Sequence, residues 1–218
     1  TEQGLKWDRY WMIVNEDGQF ATQRHFSPMP TIQTKITDTH LVLSHPEHED
    51  FCVALDASAQ ILADKKQVKI WNSECIAVDE GLEVSLWLTK VLGLWRGQHL
   101  SLVRMSPDFE RKVSDNHTNG ASNTTLFSDG YPYLITTTAS LAELNSRLHQ
   151  NDERSIPMSR FRANLIVDNT GLDSAAFIEH RSDRLVVEKT AVEFDLCKPC
   201  ERCKVPSIDQ VTGRVESP

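Results

Sequence analysis

Tyr10-Trp-Met-Ile-Val14, Asn15-Glu-Asp-Gly18 and Phe20-Ala-Thr-Gln23 follow one another near the start of the chain, and their reading sets the fold class. The first run is aromatic and β-branched, side chains that fit a pleated, half-buried surface. The second puts Asp-Gly at the tip of a turn between two such runs, the short-range mark of a β-hairpin. Working outward, comparable runs recur at His40–Leu43, Phe51–Leu55, Gln67–Trp71, Leu100–Met105, Tyr133–Thr136, Asn164–Val167, Leu185–Glu188 and Ala191–Leu196, many bounded by Gly, Asp, Asn or Pro. Two segments have a helical period instead. Leu82–Leu92 places Leu82, Leu86, Trp87 and Val91 along one face, and Ser140-Leu-Ala-Glu143 reads as a capping box ahead of Leu144 and Leu148. Many strands and few helices predict a β-rich α+β fold, with sheets closed or nearly closed into barrels. Between Pro107 and Ser128 the apolar rhythm gives way to Ser, Asn, Asp and Thr, and a surface loop or domain junction is expected there.

Composition narrows the function classes. The 218 residues carry 23 Lys and Arg against 31 Asp and Glu, a formal charge of -8, with no basic stripe of the kind that tracks a nucleic acid backbone. Mean hydropathy is -0.39, and no apolar run is long enough to span a bilayer. Thr1 in place of Met reads as a trimmed start that hides any targeting segment. Five cysteines, three of them within Cys197–Cys203, do not form the framework of a secreted disulfide scaffold, so a reducing, intracellular compartment is expected. The sequons at Asn116 and Asn123 carry little weight in that setting. His45-Pro-Glu-His48-Glu-Asp50 looks like a metal-binding run, but reads more simply as a solvated turn before a strand.

The chemistry concentrates in Cys197-Lys-Pro-Cys200-Glu-Arg-Cys203. Its spacing could open an iron–sulfur run, yet no fourth cysteine follows; a zinc site would also want four ligands, and Cys52 and Cys75 lack knuckle spacing. Structural cysteines, a zinc module, and one thiolate ligating a metal that a cofactor otherwise holds all remain open from the residues alone.

The longer stretch Phe194-Asp-Leu-Cys-Lys-Pro-Cys200-Glu-Arg-Cys203-Lys-Val-Pro-Ser-Ile-Asp209-Gln-Val-Thr-Gly213 resembles the C-x-R-C…(V/I)-D-x-x-T-G motif of MOSC domains, relatives of the C-terminal part of molybdenum cofactor sulfurase. Gly4-Leu-Lys-Trp-Asp-Arg9-Tyr-Trp-Met-Ile-Val and Thr22-Gln-Arg24 are similar to the companion N-terminal β-barrel domain. Ser128-Asp129-Gly-Tyr-Pro-Tyr-Leu-Ile, Ser140-Leu-Ala-Glu-Leu-Asn and Arg160-Phe-Arg162-Ala-Asn164 resemble the intervening blocks, in order. The likeness is strongest to mitochondrial amidoxime-reducing components and bacterial MOSC–ferredoxin fusions.

That resemblance implies an N-terminal barrel-like domain over residues 1–105 and a MOSC domain, open at its end, over 106–218. It implies a molybdenum cofactor (Mo-molybdopterin) whose metal is ligated by Cys203, the catalytic centre. Arg9 and Arg162 are implied to bind the pterin, Asp129, Gly130 and Tyr131 to lie beside it, and Arg202 to flank the thiolate. Gly130 and Tyr131 stand where relatives often carry small hydroxyl residues, and Cys197 where they carry an aliphatic one. A Lys-Ser pair and late strands of the family fall outside Thr1–Pro218. Guanidinium suits the role independently, since its planar fork matches a phosphate. The implied activity is reduction of N-hydroxylated compounds such as amidoximes and hydroxylamines. Electrons would come from a separate protein, a haem cytochrome with its flavin reductase or a ferredoxin-like module, and the address would be mitochondrial or otherwise cytoplasmic. A cofactor carrier or sulfuration module, whose other half would bind pyridoxal phosphate, and a non-catalytic remnant are the alternatives.

Overall fold

The computed structural model describes residues 3–56, 65–118, 122–169, 176–201 and 203–216. Seven strands and one helix make the first half: β1 (Trp11–Asn15), β2 (Gln33–Ile36), β3 (His40–His45), β4 (His48–Ala54), β5 (Lys65–Ile70), β6 (Ser73–Asp79), α1 (Leu82–Leu92) and β7 (Leu100–Met105). They form a four-stranded antiparallel sheet, ordered β1-β7-β6-β5, and a three-stranded one, β2-β3-β4. The fold is β-rich with few helices, as the run pattern predicts.

Alternation along β7 sets up two cores, because successive strand side chains point to opposite faces. Leu100 and Leu102 join Leu41, Leu43 and Val53 of the three-stranded sheet and Val84, Leu88 and Leu92 of α1. Val103 and Met105 face the other way, among Met12, Val14, Val68, Ile70, Cys75, Ala77 and Phe127. Phe127 comes from the second half of the chain, so the four-stranded sheet is covered on both faces and the halves share a core.

The next residue of β7 on the first face is Arg104, with 0% exposure. Its guanidinium forks onto Glu80, bonding through Nε to Oε1 and through Nη2 to Oε2 at 2.8 Å. The remaining N–H groups reach the carbonyls of Ala54, at 2.7 Å, and Leu55, at 3.2 Å. Trp11, its register partner on β1, donates Nε1 to Glu80 at 2.6 Å and lays its ring 5.7 Å from the guanidinium. Both charges are therefore satisfied, and one cluster ties together β1, β7, the end of β4 and the turn after β6.

The Asn15–Gly18 turn forms as read: Gly18 N donates to Asn15 O at 3.0 Å, and Gly18 takes φ +72°. Its return segment makes only a bridge from Phe20 to Val14 and another from Gln19 to Lys69, not a strand over Phe20–Gln23. Helix α1 also forms, with part of the expected face inward, since Trp87 and Val91 pack half-buried against the core. Val84, Leu88 and Leu92 are buried, whereas Leu82 and Leu86 are 72% and 56% exposed. Seven of its eleven residues are apolar, so two stripes compete and tertiary packing selects between them. Strand β6 is missed by the run pattern because Glu74, Cys75 and Ala77 lack the bulk and branching of usual strand residues. Strand β2 is missed because none of its residues is buried.

The second half holds three two-stranded pieces: β8 (Arg111–Lys112) with β9 (Thr124–Thr125), β10 (Ile135–Thr137) with β11 (Leu165–Val167), and β12 (Arg184–Val186) with β13 (Glu193–Asp195). β10 and β11 run parallel, joined across α2 (Thr138–Gln150); α3 (Ile178–Arg181) precedes β12. Helix α2 starts earlier than the capping box indicates. Thr137 is its N-cap, accepting from Ser140 N at 3.3 Å, and the helical turn before Ser140 is already formed. In the stretch expected as a surface loop or domain junction, Pro107–Ser128, many of the described residues are exposed, but Arg111, Val113, Thr118, Thr125, Phe127 and Ser128 are buried.

Removing one partner of the Arg104 cluster strands a buried charge, which costs about 3–5 kcal/mol. Glu80→Ala is expected to lower the free energy of urea unfolding by that order; an unchanged unfolding midpoint would show that the pair is incidental.

Candidate functional site

Three stretches far apart in sequence meet at one place. The first is Asp8-Arg9 at the entrance to β1. Arg9 takes a left-handed backbone, φ +55°, and its carbonyl accepts from Phe127 N at 2.9 Å, so the turn is held by the second half of the chain. Such a backbone costs a non-glycine residue energy, and the surroundings must hold it in place. The second is Arg162, also left-handed at φ +53°, which ends the 3-10 turn Met158–Phe161. Asn164 links these two: its Oδ1 accepts from Leu134 N at 2.9 Å and its Nδ2 donates to Asp8 Oδ2 at 2.8 Å. Asp8 in turn lies 3.7 Å from Arg9 Nε. Asn164 is thus the brace between the Arg9 turn and the β10–β11 pair.

The third stretch is the loop from Leu126 to Tyr131. Arg111 fixes it from behind, donating Nη1 to the carbonyls of Leu126, at 2.9 Å, and Ser128, at 2.5 Å, and Nη2 to Asp129 O at 3.4 Å. Asp129 is presented at the loop's tip. Its Oδ2 accepts from Arg24 Nη2 at 2.8 Å and its Oδ1 from Trp71 Nε1 at 3.1 Å, while Arg24 lies 4.8 Å from the centre of the Trp71 ring. Trp71 sits at the β5–β6 turn with φ +52°, and Phe20 meets it edge-on at 5.0 Å.

Charge is out of balance here. Arg9, Arg24 and Arg162 act on one another and on Asp129, with Asp8 the other nearby carboxylate. Arg162 is exposed at the surface, with Arg9, Arg24, Asp8 and Asp129 acting on its charge. Burial, then repulsion from Arg9, lowers its pKa to about 10, outweighing the attraction of Asp129 and Asp8. It stays charged at neutral pH, but at a cost that a bound anion would relieve. Burial of Asp129 works against its charge, but the hydrogen bond and field of Arg24, then Trp71 and Arg9, hold the carboxyl below its ordinary value. At Arg24, burial is likewise outweighed, by Asp129 and then by Cys203, and the pKa is raised.

Cys203 approaches this cluster from the C-terminal side and is half-buried. The loop that follows it is closed by Asp209, whose Oδ1 accepts from Val211 N at 3.1 Å, Thr212 N at 2.8 Å and Thr212 Oγ1 at 2.9 Å. Cys200 is exposed, and burial of its sulfur followed by repulsion from Cys203 and Asp129 raises its pKa. Cys197 lies further out, by Tyr131 and Lys198. Gly130 is half-buried, and a Cβ there would meet nothing within 4 Å, leaving open space beside Asp129. Tyr131 is half-buried; burial, then the field of Cys197, raises its pKa.

Of the residues singled out from sequence, Arg9, Asp129, Arg162 and Cys203 fall within one electrostatic cluster, with Gly130 at its edge and Tyr131 turned toward Cys197. Arg202 lies outside the described residues. Three residues with no assigned role complete the site: Arg24, Trp71 and Arg111. Arg24 stands in a quoted family block without a function, Trp71 ends a run expected to be a strand, and Arg111 lies in the stretch expected to be a surface loop or domain junction. Among the described residues, no group of three or more His, Cys, Asp and Glu side chains could hold a metal ion.

A strand-rich N-terminal half and a second half that packs against it bring a cluster of arginines near a cysteine in one β-rich chain. Residues 1–94 match the family model of the MOSC N-terminal beta barrel domain, and residues 122–217 match that of the MOSC domain. The chain belongs to the MOSC-domain family. It is 31% identical to a molybdenum cofactor sulfurase of Bos taurus over 97% of its own length and 24% of the relative's. A molybdenum cofactor sulfurase of Drosophila persimilis is 32% identical over 98% and 25%. Mitochondrial amidoxime-reducing component 1 of Danio rerio is 26% identical over 96% and 62%. The chain thus spans about a quarter of the sulfurases and under two thirds of the amidoxime-reducing component. No helix among the described residues is long and apolar enough to cross a membrane.

Because the folded Asp129 carboxyl is held below its ordinary value, its contact with Arg24 contributes stability above the ordinary carboxylate range. That contribution is lost as the pH falls through the depressed pKa. Asp129→Asn is expected to lower Tm near neutrality, with the gap to wild type closing in acid. A gap that stays constant with pH would assign the effect to shape rather than charge.

Proposed function

We propose that this chain binds a molybdenum cofactor at the junction of its two parts, divided near residue 105, and reduces N-hydroxylated compounds there. The observation that carries the reading is the gathering of guanidinium groups around the Asp129 loop: Arg24 on Asp129 at 2.8 Å, Arg111 on the loop's carbonyls, and Arg9 and Arg162 on left-handed backbones near it, with Asp8 and Asp129 the nearby carboxylates. The pterin's phosphate is an anion of the right kind, and the open space at Gly130 leaves room for a group beside Asp129. The residues present therefore fit the cofactor.

In this reading Arg9 and Arg162 hold the phosphate, each aimed by a left-handed backbone that Phe127 and Asn164 keep in place. Asp129, Gly130 and Tyr131 line the neighbouring wall, Arg202 flanks the thiolate, and Cys203 supplies the single protein ligand to the metal. The cofactor would supply two-electron chemistry at the N–O bond; the protein supplies position and field. Electrons would reach it from a separate carrier, a haem cytochrome served by a flavin reductase or a ferredoxin-like protein. The relatives with mitochondrial names support an intracellular, mitochondrial setting.

The sulfurase relatives favour a second reading, in which the chain holds the cofactor for sulfuration, next to a pyridoxal-phosphate-dependent partner domain. Elemental analysis of the purified protein separates molybdenum from zinc or no metal. Turnover of an aromatic amidoxime with a chemically reduced donor then separates the two readings. Molybdenum without amidoxime reduction, but with cyanide-labile sulfur on the cofactor, would move the assignment to sulfuration; no molybdenum would end both.

Cys203→Ser is expected to abolish reduction while the fold persists, since a hydroxyl is a harder, less readily ionised ligand than a thiol. Cys200→Ser is expected to be mild, and equal loss in both would indicate a two-cysteine site. Arg9→Ala and Arg162→Ala should each weaken cofactor retention by about 1.5–3 kcal/mol, the worth of a charge-assisted hydrogen bond. Arg→Lys should recover only part of it. Wild-type molybdenum content in both Ala variants would remove these arginines from the site.

A further inference from the structure

The loop that follows Cys203 closes on itself and is held from both halves of the chain. Ile208 bridges Val215, Glu216 N donates to Ser207 O at 2.8 Å, and Asp209 N donates to Arg214 O at 2.9 Å, so residues 207–216 form one unit. The first half meets it at residues 23–27. There Gln210 Nε2 donates to Gln23 Oε1 at 3.2 Å, and Gly213, at φ +68°, packs so closely that a Cβ would come within 2.6 Å of the Ser27 carbonyl oxygen. The second half meets it through Arg160, which is 5% exposed. Arg160 Nη1 donates to Pro206 O at 3.3 Å, Nη2 donates to Glu216 Oε2, and Asp209 Oδ2 lies 3.7 Å from the same nitrogen. One buried guanidinium thus reaches the start, the turn and the end of the loop.

Arg160 belongs to the 3-10 turn Met158–Phe161, and Arg162, which ends that turn, donates its N–H to Ser159 O at 3.1 Å. Two arginines of one short turn therefore serve different ends: Arg162 joins the charge cluster, and Arg160 grips the Cys203 loop. We propose that Arg160 is a positioning residue: it ties the loop that follows Cys203 to the turn that carries Arg162, and so sets where the thiol stands relative to the site's arginines. The consequence for a metal rests on the reading that Cys203 ligates molybdenum; the tie itself does not. Guanidinium suits the task because its planar fork serves a carbonyl and carboxylates at once in fixed directions, which a single ammonium does not reproduce. Packing alone does not fix the loop on this side, since a cavity of ≈ 200 Å³ lies between Arg160, Glu216 and residues 152–156. The simpler alternative is that Arg160, like Arg104, is a buried charge that supports the whole fold. The two differ in how far the damage spreads when it is removed.

The test is amide hydrogen exchange of the full chain with Arg160→Gln, Arg160→Lys and Glu216→Gln, followed by amidoxime turnover of the molybdenum-loaded proteins. Arg160→Gln should speed exchange within residues 203–216 and leave β1, β5, β6 and β7 at wild-type rates, because local opening is then separate from global unfolding. Arg160→Lys should recover part of the difference. In loaded protein Arg160→Gln should lower kcat by about 10–100-fold, the range for residues that orient a metal ligand, with KM and molybdenum content close to wild type. Wild-type exchange in residues 203–216, or faster exchange spread over the first-half sheets, overturns the proposal. A loosened loop with wild-type kcat overturns it too, since the tie would then position nothing. Should Arg160→Gln not fold, Glu216→Gln carries the test: it removes one charge and keeps an acceptor, so the loop should loosen by less, and an unchanged loop overturns the proposal. A loosened loop in a protein that never takes up molybdenum supports the tie and overturns only the assigned metal.

Discussion

A guanidinium with no exposed surface sits at the end of the inner row of β7, and the architecture around it follows from the need to satisfy it. Arg104 takes both oxygens of Glu80 and two backbone carbonyls at the end of β4, and Glu80 also receives the Trp11 indole. A buried ion pair of this kind adds little net stability over apolar packing, but half of one is costly. It therefore acts as a specification. The two sheets of the first half must meet where four strands can each deliver a partner, and β1 must run in the register that puts Trp11 opposite Arg104. Two residues before Trp11 lies Arg9, so the register that serves the core also places the first arginine of the site.

The site is built from the opposite imbalance. In the core of the first half Arg104 and Glu80 complement each other, whereas at the junction several arginines share two nearby carboxylates. Each is held rigidly: Arg9 and Arg162 by left-handed backbones, Arg24 between an indole and a carboxylate, Arg111 on three carbonyls of the Asp129 loop. Rigid placement of like charges is unfavourable for the bare protein and favourable for an anionic ligand, because the reorganisation is done before the ligand arrives. The contributions come from residues 9 and 24 in one half and 111, 129, 162 and 203 in the other, and neither half holds the constellation alone.

Much of this was legible in the sequence, and the parts that were not share a physical reason. Strand-rich character, the Asp-Gly turn and both longer helices follow from local pattern, and Arg9, Asp129, Arg162 and Cys203 from ordered motif blocks. What local pattern does not carry is which of two competing faces packs. Helix α1 has two apolar stripes, and only contact with β7 and β4 selects Val84, Leu88 and Leu92. Strand β6 hides behind small and acidic residues because its neighbours supply the bulk. Polar composition over Pro107–Ser128 does not show which residues turn inward: Arg111 is buried with Nη1 and Nη2 on carbonyls, which leaves no sign in composition. Arg24 and Trp71 matter only through Asp129, more than fifty residues from either. Their partnership is a property of the closed fold.

That closure has an order in time. The hydrogen bond from Gln210 to Gln23 spans 187 positions, and Gly213 seats on Ser27 with no room for a side chain. Chains are made from the N-terminus and tend to fold as they emerge, so the first half can assemble its sheets while Cys203 has yet to be joined to it. During that interval Arg24 has neither Asp129 nor the sulfur beside it. The cluster is complete only when the loop around Gly213 docks onto residues 23–27, which are made before it. On the proposed reading, an anionic cofactor meets the complete cluster only after residues through Gly213 have been made.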